Sequence, residues 1–210
     1  ISPVEVLRAQ LERADTLAAY GNPHVRAPHL DALARQSVLF ETAYVAQPVC
    51  TPSRGSILTG LYPHQHGANA NNVPLRPEVK TLAEHLGGGS AYATGYFGKW
   101  HLGDEVLPGH GFTERVSTED DYDEFATDAA AKGTRSDYFQ YLLALGLRPS
   151  KNGVFSRQQV ARLPVEQCKP AFLARAAEAF LARHAGSPFL LSVNFIQPHS
   201  PYDGPFNNLH

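Results

Sequence analysis

The segment Phe189-Leu190-Leu191-Ser192-Val193-Asn194-Phe195 restricts the architecture more than any other in the chain. It is almost continuously apolar, whereas a strand with one wet face would alternate. Such a run predicts a strand at the centre of a parallel sheet covered on both sides. The residues before it supply one cover: over 170–184, Phe172, Leu173, Ala176, Phe180 and Leu181 fall on one helical face. A second strand is predicted over 92–97, after a short helix over 81–86 that Gly87-Gly88-Gly89 ends. An α/β protein follows, and its active groups belong at the exits of parallel strands.

Composition narrows the function. The chain has 210 residues, 43% hydrophobic and 18% charged, which describes a folded domain or part of a larger one. A formal net charge of −2 and the lack of a basic run argue against nucleic-acid binding. The two cysteines, Cys50 and Cys168, have no metal-type spacing, and Cys168 reads as an inert residue at a helix boundary. The apolar runs are too short to span a bilayer, so no membrane association is expected, and no signal peptide is visible. That makes a cytoplasmic location the default. The chain begins at Ile1 and contains no methionine, which suggests a processed or truncated piece.

The chemistry centres on Pro48-Val49-Cys50-Thr51-Pro52-Ser53-Arg54-Gly55-Ser56-Ile57-Leu58-Thr59-Gly60. A strand-like run over 37–45 precedes it. Pro52 and Ser53 suit a helix start, with Ile57 and Leu58 as the buried side. Cys50 at such a junction would face the positive end of the helix dipole, and Arg54 adds a fork suited to a tetrahedral oxyanion. These residues alone make Cys50 a nucleophile or anion-site candidate, with a buried free cysteine as the equal alternative.

Elsewhere, Val4, Leu7, Leu11 and Ala14 predict an amphipathic helix over 4–17, and Pro28 opens a short helix with Leu30, Leu33 and Ala34 inward. His64 and His66 read as part of a structural turn rather than a metal pair. In Gly98-Lys99-Trp100-His101-Leu102-Gly103, strand geometry would aim Lys99 and His101 to one side. The acidic run Glu119-Asp120-Asp121-Tyr122-Asp123-Glu124 reads as a solvated loop. His199, in Gln197-Pro198-His199-Ser200-Pro201, lies at a strand exit.

Taken together, Cys-Thr-Pro-Ser-Arg with Leu58-Thr59-Gly60, the Gly-Lys-Trp-His-Leu-Gly motif about fifty residues later, and Pro-His-Ser-Pro resemble the type I, formylglycine-dependent sulfatases. The likeness runs from Arg13 to the end, leaving 1–12 as an atypical segment before a partial catalytic domain over 13–210. It implies an alkaline-phosphatase-like sandwich, with a mixed, largely parallel sheet between helices and incomplete at both ends. It also implies that Cys50 is oxidised to formylglycine by a formylglycine-generating enzyme, and that the substrate is a small-molecule sulfate ester. Cys50 would then be both nucleophile and a ligand of a divalent metal ion, calcium ahead of magnesium. Arg54 would support the nucleophile, Lys99 would hold the sulfate, His101 would serve the formylglycine hydrate, and His199 would protonate the leaving oxygen. A phosphonate monoester or phosphodiester hydrolase shares these motifs. One departure favours an inactive fragment: Gln10 and Leu11 occupy the expected acidic ligand positions, and leucine cannot bind a hard cation. Asp15 reads as structural. Little or no turnover is therefore expected of these 210 residues alone.

Overall fold

In the computed structural model four strands form one sheet: β1 (Val4–Ala9), β2 (Ala93–Gly98), β3 (Glu114–Val116) and β4 (Phe189–Phe195). The structure describes residues 4–9, by backbone alone, and 17–87, 91–107, 109–150 and 152–205. The strand order is β1-β4-β2-β3, and every pairing among the described residues is parallel, with Val4 opposite Leu190 and Gly98 opposite Asn194. β4 is therefore an inner strand, as its unbroken apolar text requires, and all its residues from Phe189 to Asn194 are buried.

Seven α-helices accompany the sheet among the described residues: α1 (Pro28–Ala34), α2 (Cys50–Thr59), α3 (Pro63–His66), α4 (Leu82–His85), α5 (Asp137–Ala144), α6 (Arg157–Ala161) and α7 (Lys169–His184). None is long and apolar enough to cross a membrane. The period-two rule puts alternate residues of β2 and β4 into different cores. Tyr96 and Leu190 join Trp100, Phe112, Leu58 and Leu102 on one face, while Phe97, Leu191 and Val193 pack with Leu173 and Phe180 of α7 on the other. The fully buried Phe180 contributes about 2–3 kcal/mol to that second layer. A third cluster gathers Tyr138, Phe139 and Leu142 of α5 with Phe155 and Val160. Its helices start where serine allows: Ser136 and Ser156 accept the amides of Phe139 and Gln159.

By contact the chain divides into two compact units, Ile1–Gln10 with Ala46–His210, and Leu11–Val45. In the smaller unit α1 buries no residue, and Leu30 and Leu33 are exposed, against the inward face expected of them. The run over 37–45 is not a strand. Its first residue instead finishes the helix, Ser37 N–H donating to Ala34 and its hydroxyl to Leu33, and no ladder partner follows. The helix expected over 4–17 is replaced by β1 over its first part. Val4 and Leu7 fit a helical period, but Val4 and Val6 fit a strand equally, and the free edge of β4 decides. Ile57 and Leu181 also face outward.

His66 takes the structural place expected of it. It is fully buried, its Nε2 is 3.2 Å from Ser56 Oγ, and its Nδ1 accepts from Ala68 N–H at 3.1 Å. A Cβ on Gly55 would come within 2.6 Å of its ring, so glycine lets α2 and α3 close together. Cys168 caps α7, its thiol directed to the Val165 carbonyl at 2.8 Å.

Candidate active site

Helix α2 begins at the cysteine. Val49 is its extended N-cap, without a side-chain cap bond, and Cys50 is the first helical residue, half-buried. The amides of that first turn form the positive end of the dipole, a place that stabilises anions. One turn on, Arg54 is fully buried. Its Nη1 donates to Tyr96 Oη at 2.8 Å, the Lys99 carbonyl at 2.5 Å and Asn194 Oδ1 at 3.4 Å. Its Nε and Nη2 have no partner among the described residues. Those two nitrogens make one edge of the guanidinium, the edge that takes a tetrahedral or planar anion through two parallel bonds.

Lys99 and His101 reach this place by a turn rather than by the pleat. β2 ends at Gly98, φ +96°, and His101 also has a positive φ of 59°. A Cβ on Gly98 would lie 2.1 Å from the Asn194 carbonyl oxygen, so only glycine fits the turn. The next amides leave the ladder and need new acceptors. Glu105 supplies them: its two carboxylate oxygens accept the N–H groups of Trp100 and His101, each at 2.7 Å. Burial raises the Glu105 pKa, and those N–H donors pull it partly back.

Past the turn the side chains converge on Tyr122. Lys99 Nζ donates to its hydroxyl at 2.6 Å, and the His101 ring packs on its ring with centroids 4.1 Å apart. Burial lowers Lys99 to about 8, with Glu119 and Cys50 opposing the shift. Burial, then the charges of Lys99 and Arg54, push His101 to about 3, so its imidazole is neutral at pH 7. Its Nε2 lies 2.7 Å from Asn72 Oδ1, an acceptor, which places the proton on Nε2 and leaves the lone pair on Nδ1. Nδ1 is buried without a partner among the described residues, the arrangement of a base awaiting a proton. Asn72 itself is held by a left-handed backbone, φ 66°, and by its backbone N–H donating to Thr51 Oγ1 at 3.3 Å, which in turn donates to the His101 carbonyl at 2.8 Å.

The acidic run is a solvated loop only in part: Asp121, Asp123 and Glu124 are exposed, but its first residue is not. Glu119 is 2% exposed. It is paired with Lys169 and, at 2.8 Å, with Arg157 Nη2. Burial pushes its pKa up, but Lys169 and Arg157 overcome that and hold it at about 2. Arg157 Nη2 also donates to the Tyr122 hydroxyl at 3.0 Å, and its Nε lies 3.3 Å from Asp121. Helices α6 and α7 deliver these cations from 38 and 50 residues along the chain, beyond the reach of any local pattern.

His199 stands to one side. Its Nδ1 is 2.9 Å from the Ser200 carbonyl, so Nδ1 carries the proton and Nε2 the lone pair. It lines a small cavity with Lys169, Gln197 and Arg157, and Arg157 is its link to the Tyr122 cluster.

A model of the sulfatase family matches residues 6–208. The chain belongs to the sulfatase family. It is 46% identical over 90 residues to an ulvan-active sulfatase of Formosa agariphila, covering 43% of this chain and 17% of that protein. The uncharacterized sulfatase YidJ of Escherichia coli is 26% identical over 203 residues, 94% of this chain and 38% of the other. The crystal structure of the phosphonate monoester hydrolase of Agrobacterium radiobacter superposes with a TM-score of 0.70 at 24% identity, over 97% of this chain and 42% of that one. The chain thus spans less than half the length of these relatives, and its fold is the alkaline-phosphatase-like α/β fold that the sulfatase motifs imply.

Sulfatases work with a metal ion and formylglycine. Of the residues weighed as ligands, Gln10, Leu11 and Asp15 lie outside the described residues. Among those described, no group of three or more histidine, cysteine, aspartate or glutamate side chains could hold an ion. Arg54 and Lys99 near Cys50 are cations, which repel a hard cation instead of supplying the oxygen ligands it needs. They do not fit a metal.

Proposed function

We propose that this chain is part of a sulfuric ester hydrolase that cleaves sulfate monoesters at Cys50 after its oxidation to formylglycine by a formylglycine-generating enzyme. One observation carries the reading: Arg54 and Lys99, both fully buried, meet beside Cys50 without a carboxylate bonded to either among the described residues. Buried cations need an anionic partner, and a sulfate group provides one.

The roles follow from the geometry. The open edge of Arg54 and the Lys99 ammonium balance the anion's charge and orient it. Neutral His101, with Nδ1 free, accepts a proton within this cluster. Formylglycine supplies the attacking oxygen when it is present. His199, in its imidazolium form with Nδ1–H held by the Ser200 carbonyl, delivers the Nε2 proton to the departing alcohol oxygen from the Arg157 side. The divalent ion, calcium in our reading, would need oxygen ligands that Arg54 and Lys99 do not supply, and no step here depends on it.

The test begins with the modification. Co-produced with a formylglycine-generating enzyme, the protein should yield a Cys50 peptide that reacts with an aldehyde-specific hydrazide. In competition at equal concentration, the matured full-length protein should prefer an aryl sulfate to the aryl phosphonate ester, and Cys50→Ala in it should abolish turnover. An unconverted Cys50, or a preference for the phosphonate, overturns the proposal.

A further inference from the structure

We propose that Tyr122 is a third donor to the bound anion, giving its hydroxyl proton to a sulfate oxygen alongside Arg54 and Lys99. The proposal rests on the sulfatase reading and deepens it, adding a substrate-contacting residue from the interval 104–165.

Donor arithmetic leads to it. A phenol oxygen accepts through its lone pairs and donates one proton. The Tyr122 oxygen receives Arg157 Nη2 at 3.0 Å and Lys99 Nζ at 2.6 Å. Guanidinium and ammonium groups have no lone pair to offer, so both bonds use the oxygen and neither uses its proton. That proton remains to be given, on an oxygen already held by two cations. A phenol pushed up to about 12, burial outweighing the Arg157 charge, keeps its proton throughout the neutral range.

Placement adds a second argument. Tyr122 is fixed from three sides: its ring on His101, its oxygen on Lys99, and Arg157 behind it, itself clamped by Glu119 and Asp121. A residue that filled space alone would not need a buried ion pair to hold its hydroxyl in position. Fixing a donor before the anion arrives is what electrostatic preorganisation requires.

The experiment is calorimetric titration of the full chain with sodium sulfate at constant ionic strength, wild type against Tyr122→Phe. The variant keeps the ring on His101 and removes the donor. The expected result is about a ten-fold weaker sulfate Kd, as for loss of one bond to a charged acceptor. The His101 imidazole resonances should stay where they were, while the unfolding midpoint falls because Lys99 and Arg157 lose their acceptor. Equal affinities overturn the Tyr122 assignment and leave the sulfatase reading intact. Weaker binding together with moved His101 resonances means that the ring packing was lost, and overturns the donor role. A wild type that binds no sulfate overturns both readings. Should the variant not fold, the wild type carries the test: with tyrosines fluorinated, saturating sulfate must shift the 19F resonance that cross-relaxes with His101, and a stationary resonance overturns the proposal.

Discussion

Replacing Glu119 by glutamine should do more damage than any other single change in the acidic run. Its carboxyl is held at about 2 against an ordinary 4.5, because the Lys169 and Arg157 charges outweigh the burial that would raise it. At about 1.4 kcal/mol per unit of pKa, that difference corresponds to about 3 kcal/mol of stability. Breaking a buried pair by removing one partner costs about 3–5 kcal/mol, which agrees. The sign is fixed by the depressed folded value. The stabilisation is complete above pH 4.5, falls as the unfolded chain takes up its proton first, and is gone near pH 2. Urea unfolding of Glu119→Gln should therefore show a loss of about 3 kcal/mol at pH 7 that shrinks steadily between pH 4.5 and 2. A loss below ~1 kcal/mol at pH 7, or a gap that does not change with pH, would refute the reasoning. The same substitution leaves Arg157 held mainly by Asp121 and Tyr122, so sulfate affinity should fall with stability.

Two further outcomes are expected. Gly98→Ala must push a methyl group to within 2.1 Å of the Asn194 carbonyl oxygen at a positive φ, and should cost at least ~2 kcal/mol by chemical denaturation or prevent folding outright. The His101 imidazole, held at about 3, should show side-chain NMR shifts that stay flat from pH 8 to pH 5, and a midpoint near 6.5 would contradict its burial.

What the sequence discloses about this molecule follows the range of each interaction. The β4 strand, helix α7 and the start of α2 rest on local text, an apolar run, a period of 3.6 and a cysteine before Pro52, and the structure agrees with all three. Arg54, Lys99 and His101 were legible as candidates because motifs carry them, although a turn at Gly98, not a strand, brings the last two together. Glu105, Glu119 and Arg157 were not legible. A carboxylate four residues after His101 that accepts two backbone amides looks in sequence like any surface acid. Glu119 sits among acids that would normally be solvated, and its meaning depends on Lys169 arriving from fifty residues away. Tyr122, an aromatic side chain inside an acidic run, was the one local sign that this stretch turns inward. β1 was misread because six residues do not separate a period of 2 from one of 3.6, and its identity depends on β4, far along the chain.

The bond from Arg54 to Asn194 spans 140 residues. A ribosome adding about 5–20 residues per second reaches Asn194 roughly 7–28 s after Arg54. During that interval β2 has no β4 beside it, the side chain of Asn194 does not yet exist, and Arg54 cannot take its final position. Cys50 therefore spends its first seconds on an open chain, before the sheet closes on it. The place of β4 at the middle of the sheet, so far along the chain from α2, sets when the surroundings of Cys50 close.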